Sequence, residues 1–354
     1  MDDISLMRRC LVLARRACGG TSPNPMVGAL LYKDGRIIAE EYHRKAGQPH
    51  AEALVLRQAG AEADGATLFV TLEPCCHTGK RTPPCTDAII AAKVRRVVAA
   101  MEDPNPAVRG RGLEILGSAG IEIKSGVLQD EAKRLNEAYN KYITTKTPFV
   151  ILKVAMTLDG KMATPDGQSK WITCEKSRSY VHRLRSQVDA VLTAIGTVKA
   201  DNPRLSARGR GLKSPIRVAI DPMLETPPDF EICKTPPRTI IVTKREADPG
   251  LEAAGVEFIH YDGCLDLKWL MRQLAQRQIT SVMIEGGASL TGHAVTEGIV
   301  DKVVFFIAPK IIAGMGVFCP VASKHFRDIG SPYEVFNMKA RHLGTDIVIE
   351  GYLR

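Results

Sequence analysis

The chain has 354 residues, a formal net charge of +9, 45% hydrophobic residues and 25% charged ones. That length exceeds one ordinary core and sets an expectation of two domains, while the composition excludes a disordered or fibrous chain. No apolar run approaches the ~18–20 residues that cross a bilayer, and MDDISLMRRC is acidic where a signal peptide is basic, so the expectation is a cytoplasmic protein without a membrane partner.

In chain order, residues 4–18 place Met7, Cys10, Leu11, Ala14 and Cys18 at helical spacing, with arginines on the other face. MVGALLYKDGRIIAEEY follows, two apolar runs around a Lys-Asp-Gly-Arg turn. Asp-Gly accommodates the positive φ of a β-hairpin. PHAEALVLRQAG predicts a short helix ending at Gly60, TLFVTLEP a buried strand, and PCTDAIIAAK a helix starting at Pro84. RRVVAAM, LEILGSAG and IEIKSGV continue as strand, helix and strand, and an amphipathic helix is expected over 129–143. This alternation defines an α/β layered domain over 1–145. TTKTPF reads as a linker, because Pro148 ends the helix, and FVILKVAM opens a second domain over 146–354. There AVLTAIG, IRVAID, RTIIVT, SVMIEGG and KVVFFIAP repeat the α/β rhythm. YEVFNMKARHL and TDIVIEGYL close the chain as consecutive strands, which predicts an antiparallel edge on a mixed sheet.

Nine cysteines, an odd number spread along the chain, suggest metal ligands plus free thiols in a reducing compartment instead of a disulfide framework. The basic residues are scattered, and two Trp and nine Phe offer no visible stacking surface for single strands. The positive charge therefore suits a small anionic partner better than a nucleic acid.

Two segments carry the first chemistry. EPCCHTGKRTPPC, residues 73–85, holds Cys75, Cys76, His77 and Cys85; PHAEA, residues 49–53, holds His50 and Glu52. A catalytic zinc needs three protein ligands, an open position for water, and a base that moves protons without binding the metal. His50 and Glu52 are two apart where a helix starts, Cys75 follows a strand, and Cys85 sits near a helix start, where a thiol loses its proton more readily. His50, Cys75 and Cys85 thus form a three-ligand set, with Glu52 as proton shuttle. Two cysteines and a histidine alone would more often mark a structural zinc or buried thiols; the upstream His-Ala-Glu and the Pro-Cys within an α/β pattern favour catalysis. A fourth protein ligand would close the site, so Cys76 is read as a small buried or loop thiol and His77 as a loop residue touching substrate or solvent.

HAE and EPC match the His-x-Glu and Pro-Cys pattern of zinc nucleobase deaminases, with nine residues instead of two between the cysteines. With that spacing, TSPNPMVGALL, AGQPHAEALVL and TLEPCCHTGKRTPPC resemble the bifunctional deaminase/reductases of riboflavin biosynthesis. The resemblance implies a cytidine-deaminase-like α/β/α domain, zinc on His50, Cys75 and Cys85, a catalytic Glu52, and Asn24 in contact with substrate. HTGKRTPPC is one residue longer than the family's usual spacing, with the extra residue near Lys80 and Arg81.

In the second half, LKVAMTLDGKMA puts Lys153 on a strand just before an Asp159-Gly160 turn. GTVKADNPRLSAR is a polar loop with Thr197, Asp201 and Arg208, and VMIEGGASLTG runs strand, Gly-Gly, helix, so the amides of 286–292 can cradle a phosphate. Each signal is weak alone, and the G-x-G-x-x-G fingerprint is missing. In order, with SKWIT and VHRLR between them, they resemble the reductase half of the same family. That implies a dihydrofolate-reductase-like mixed-sheet domain using NADPH to reduce a ribosyl group to ribityl. It places Ala155, Trp171, Thr197, Asp201 and Gly287, Ala288, Ser289, Leu290, Thr291, Gly292 and His293 at the cofactor. Ser169, Arg185, Leu205, Arg208 and Glu285 fall at the substrate, and Lys153 at the reaction centre. Two arginines can clamp a phosphate in bidentate fashion, and Glu285 can accept bonds from ribose hydroxyls. Read without the family, Arg185 is a solvated helix face and Trp171 a core anchor. Lys244 and Arg245, after RTIIVT, are placed to meet the 2′-phosphate of NADPH.

The expected activity is deamination of 2,5-diamino-6-ribosylamino-4(3H)-pyrimidinone 5′-phosphate, then reduction of its sugar, by a homo-oligomer. The competing readings are a tRNA or nucleic-acid deaminase with an RNA-binding C-terminal domain, and a non-enzymatic zinc-stabilised binding module. The first predicts salt-sensitive RNA binding, the second unfolding without zinc.

Overall fold

The Lys-Asp-Gly-Arg turn seeds the first sheet. In the computed structural model, which describes residues 1–77, 83–164, 166–234, 236–314, 319–323 and 327–353, Asp34 and Gly35 adopt φ of 48° and 78°. Those angles join β1 (Gly28–Lys33) to β2 (Arg36–Tyr42) as an antiparallel hairpin. The extra residue of the TPPC loop falls in 78–82, outside the described residues.

The chain divides into two units, Met1–Lys146 and Thr147–Arg354. The first runs α1 (Asp3–Arg15), β1, β2, α2 (Ala51–Ala59), β3 (Thr67–Val70), α3 (Cys85–Ala91), β4 (Arg96–Ala99), α4 (Arg111–Ser118), β5 (Glu122–Ser125), α5 (Gln129–Leu135) and α6 (Glu137–Thr145). Its sheet has the order β2-β1-β3-β4-β5, with β1 antiparallel to both neighbours and β3, β4 and β5 parallel. Leu6, Met7, Cys10, Leu30, Phe69 and Val97 share one buried core. A Cβ at Gly28 would lie 2.1 Å from the Cys10 carbonyl oxygen, so glycine is what lets α1 lie directly on β1.

Two expectations need correcting here. The first helix stops at Arg15, short of Cys18, because the amides of Arg16, Ala17 and Cys18 bond back only three residues and Gly19 turns the chain at φ 76°. The expected helix over 129–143 is two helices broken at Asn136. The Asn136 side chain accepts from the Met26 amide at 2.8 Å and donates to the Met26 carbonyl at 2.9 Å, tying the break to the loop before β1.

The second unit runs β6 (Phe149–Thr157), α7 (Glu175–Gln187), β7 (Ala190–Ala194), α8 (Ile195–Asp201), β8 (Ile216–Ile220), α9 (Glu231–Lys234), β9 (Thr239–Thr243) and α10 (Pro249–Ala253). It continues with β10 (Val256–His260), α11 (Leu267–Gln276), β11 (Ser281–Ile284), α12 (Ala288–Thr296), β12 (Lys302–Ala308), β13 (Val335–Leu343) and β14 (Asp346–Leu353). Sheet order is β10-β9-β8-β7-β11-β6-β12-β14-β13. All pairs from β10 to β12 are parallel, and β14 pairs antiparallel with both β12 and β13, giving the expected mixed sheet. The parallel strands are almost fully buried, which is why they read as continuous apolar runs. β10 and α11 go unnoticed in the sequence reading; VEFIH is an edge strand with charged positions, without that run. The carboxyl ends of β6, β7, β9 and β11 share one edge of the sheet, where open α/β sheets place ligands.

Candidate active sites

His50 immediately precedes α2, Cys75 follows β3, and Cys85 opens α3. Their ligand atoms lie within 4.8 Å of one another. His50 Nδ1 stands 3.3 Å from Cys85 Sγ and 3.5 Å from Cys75 Sγ. The amides of Cys85 and Thr86 donate to the Cys75 carbonyl at 2.9 and 3.3 Å, which fixes the two cysteines side by side. The Cys85 side chain, bonded to it, holds the Cys75 thiol well below its ordinary pKa, and the same contact pushes Cys85 up. Two adjacent thiols beside an imidazole are a donor set that a zinc ion would complete by taking both sulfurs as thiolates.

Glu52, in the first turn of α2, is 3% exposed, and its Oε2 has no hydrogen-bond partner among the described residues. Burial pushes its carboxyl pKa up, against the pull of His50. A buried, unsatisfied carboxyl oxygen is costly, and such groups mark places where another molecule supplies the partner. The residues thus fit a zinc with an open position. The cavity beside them is about 410 Å³, and its lining includes Asn24, His43, His50, Glu52, Cys75, His77, Asp103, Asn105, Tyr139 and Tyr142. Cys76 is a partly exposed loop thiol.

The sequence reading passes over His43 and Glu73. The Pro49 carbonyl can only accept, so His43 Nδ1, 3.2 Å away, carries the proton. That leaves Nε2 to accept from Asn24 Nδ2 at 3.1 Å, fixing the amide with Oδ1 as its remaining group. Burial lowers the His43 pKa, which favours this neutral form. Glu73 accepts from four amides, Asp103 at 3.0 Å, Gly110 at 2.9 Å, Gly112 at 2.8 Å and Leu113 at 3.3 Å, so the segment between β3 and Cys75 also secures the loop carrying Asp103. Asp103 in turn accepts from the Tyr139 hydroxyl at 2.9 Å. The only sequence clue to His43 is that it follows a strand, seven residues before His50.

In the second unit, Lys153 lies midway along β6 and Glu285 just beyond β11. Lys153 Nζ is 3.3 Å from Glu285 Oε2, while Arg185 on α7 grips the same carboxylate through Nε at 2.6 Å and Nη2 at 3.0 Å. Burial alone would raise the Glu285 pKa, but the Arg185 and Lys153 charges reverse this and bring it to about 2. Arg185 is not a solvated helix face: its side chain is 15% exposed and spends three nitrogens on Glu285 and the Ser206 carbonyl. Trp171 is not a core anchor, being 64% exposed with the Arg178 guanidinium 4.5 Å from its ring centre. Its carbonyl accepts from Lys310, and neighbouring Lys170 pairs with Asp201 at 3.3 Å.

Thr197 and Asp201 lie in α8, so the first part of GTVKADNPRLSAR is a short helix and not the expected polar loop; a Cβ at Gly287 would sit 3.9 Å from Thr197 Oγ1. The 287–293 segment divides in two. Its first residues open α12, where amides are unsatisfied within the helix, whereas Leu290, Thr291 and Gly292 are buried, and Gly292 packs on the Ala322 backbone. His293 bonds back to Ser289 within the helix. Amides at a helix N-terminus behind two glycines fit a dinucleotide phosphate. Ala155 follows Lys153 on β6, Ser169 is partly exposed in the loop before Trp171, Leu205 is buried, and Arg208 is exposed. Lys244 and Arg245 are exposed at the carboxyl end of β9, three strands or roughly 14 Å from β11.

A layered unit with a His-Cys-Cys cluster able to hold a metal beside a buried carboxyl, followed by a mixed-sheet unit with a glycine-led helix, has the features of a zinc-dependent deaminase joined to a nucleotide-dependent reductase. Comparison with known proteins agrees. Residues 1–101 match the cytidine and deoxycytidylate deaminase zinc-binding region, and residues 148–349 match the RibD C-terminal domain. The riboflavin biosynthesis protein RibD of Aquifex aeolicus is 44% identical over 98% of this chain and 97% of its own length; that of Escherichia coli is 43% identical, over 99% of both. The structure of Acinetobacter baumannii RibD superposes with a TM-score of 0.92 at 37% identity, over 99% of both chains. The chain belongs to the RibD family: it is a bifunctional deaminase/reductase of riboflavin biosynthesis, with Zn²⁺ and NADPH as cofactors. The nucleic-acid deaminase reading is not favoured.

Proposed function

We propose that the unit Met1–Lys146 deaminates 2,5-diamino-6-ribosylamino-4(3H)-pyrimidinone 5′-phosphate and that the unit Thr147–Arg354 reduces the product's ribosyl chain to ribityl. A Thermotoga maritima protein of 38% identity and TM-score 0.89, named as a diaminohydroxyphosphoribosylaminopyrimidine deaminase/5-amino-6-(5-phosphoribosylamino)uracil reductase, supports this substrate. The observation that carries the reading is the buried Glu52 Oε2, unpartnered among the described residues, beside the His50, Cys75 and Cys85 donor set.

In this reading His50, Cys75 and Cys85 hold zinc, which when bound makes water a competent nucleophile near neutral pH. Glu52 takes one proton of the attacking water at Oε2 and gives it to the ring nitrogen, then takes the remaining hydroxyl proton and gives it to the amino group, which leaves as ammonia as the C–N bond breaks and the carbonyl forms. Its burial, by raising the pKa, favours the protonated state through which it passes. Asn24, held by His43, offers Oδ1 to a ring N–H. In the reductase, NADPH supplies the hydride. Lys153 provides positive charge and a proton donor at the reaction centre, restrained by Glu285, whose carboxylate is left to accept from sugar hydroxyls. Arg185 braces Glu285, and Arg208, exposed, takes the larger share of the substrate phosphate. Ala155, Trp171, Thr197, Asp201 and residues 287–293 frame the cofactor, Ser169 and Leu205 the substrate. Lys244 and Arg245 meet the 2′-phosphate; a kinetic preference for NADH would overturn that assignment.

The partner is a small anion, not a nucleic acid, and the enzyme works in the cytoplasm, a setting that nine unpaired cysteines suit. It works as a homo-oligomer, a state that scattering in solution would test. No described helix is long and apolar enough to cross a membrane. The deciding experiment follows ammonia release and NADPH oxidation separately on the diaminopyrimidinone phosphate. Glu52→Gln should stop the first and Lys153→Ala the second; a wild-type chain that releases no ammonia from this compound would refute the substrate.

A further inference from the structure

We propose that His182 is a positioning residue of the reductase: from α7 it joins Arg185 in holding the Ser206 carbonyl, and so sets the Leu205–Arg208 turn against the substrate. The inference rests on the reading of Leu205 and Arg208 as substrate contacts.

His182 Nδ1 and Arg185 Nη1 each lie 3.1 Å from the Ser206 carbonyl oxygen. A carbonyl only accepts, so both groups donate and the His182 proton sits on Nδ1. The two residues are three apart on α7 and therefore share one helix face. The carbonyl they hold belongs to a turn that does not rest easily by itself. Leu205 adopts φ 49°, a region bulky side chains avoid, yet its side chain is buried in the core. On the far side of Ser206, the Ala207 amide donates to Ser214 Oγ at 3.2 Å. The turn is thus gripped from both flanks, with Arg208 next in the chain. Arg185 cannot be used to probe this grip cleanly, because its other nitrogens hold Glu285. His182 can. Burial lowers its pKa, and the Arg185 and Arg208 charges act in the same direction, in keeping with Arg208 lying near the ring.

The test is steady-state reductase kinetics of the full-length, zinc-loaded protein on the deaminated pyrimidine phosphate, with inorganic phosphate as a competing probe. Asn places an amide donor where Nδ1 stands, whereas Gln reaches toward Nε2. His182→Ala and His182→Gln should raise KM for the pyrimidine phosphate and KI for inorganic phosphate about tenfold, the order expected when one partly buried hydrogen bond is lost. The kcat and the KM for NADPH should stay within about twofold, and His182→Asn should recover most of the loss. Equal behaviour of the Asn and Gln variants, or an unchanged KM in both Ala and Gln variants, would overturn the inference. So would a fall in kcat at constant KM. If His182→Ala does not fold, the Asn and Gln pair decides alone. Arg208→Ala separates the two layers: unchanged KM there removes the substrate reading of the turn, whereas a raised KM beside indifferent His182 variants removes only the role of His182.

Discussion

The two sites balance their charges in opposite ways. In the deaminase unit the Cys75 and Cys85 sulfurs, the His50 imidazole and Glu52 crowd together with no Lys or Arg among the described residues that line their cavity, and Glu52 keeps an oxygen with no partner among the described residues. In the reductase unit Glu285 is enclosed by Arg185 and Lys153, so the buried carboxylate is neutralised from within the chain. A site of the first kind is completed by an imported ion, whereas a site of the second kind is complete as folded and only waits for its ligands. Loss of metal should therefore separate the two activities.

The largest effect should come from chelation or from Cys75→Ser. Ammonia release should fall to background, more than about a thousandfold, while NADPH oxidation on pre-deaminated substrate stays within about twofold. A parallel loss of both would break the contrast. Glu52→Gln sharpens it, since zinc content measured by metal analysis should stay at wild-type level while deamination falls about a thousandfold. On the other side, Glu285→Gln leaves Lys153 and Arg185 without their carboxylate and should cost the second unit about 3 kcal/mol in denaturant titrations. The sign of its pH dependence follows from a folded pKa of about 2 against an ordinary 4.5. The wild-type contribution is complete above the ordinary value and is lost as pH falls toward 2, so the variant should show a shallower acid decline. The smallest effect belongs to Arg238→Ala. Its pair with Glu257 is 2.7 Å long but both side chains are about 40% exposed. Its removal should shift stability by less than about 1 kcal/mol, which shows that enclosure, not pairing, gives Glu285 its weight.

What could be read from the sequence was whatever depended on neighbours in the chain. The hairpin at Asp34-Gly35, the buried parallel strands and the His50/Glu52 spacing are local patterns, and they appear as expected. The break at Asn136 was hidden because its cause, Met26, is 110 residues away. Arg185 looks solvated until Glu285, 100 residues later, folds against it. His43 escaped for a related reason: its neighbours Pro49 and Asn24 are close in sequence, but only the folded loop shows which nitrogen each of them meets.

The clasp at the base of the zinc loop has a consequence for how this protein can drift. Because the Cys75 carbonyl takes the amides of both Cys85 and Thr86, the two sulfurs are registered to each other by backbone outside the intervening segment. Lengthening that segment by one residue changes its closure entropy by only about 0.1 kcal/mol. The stretch between the cysteines is thus a place where insertions can accumulate at little cost to the registry of Cys75 and Cys85.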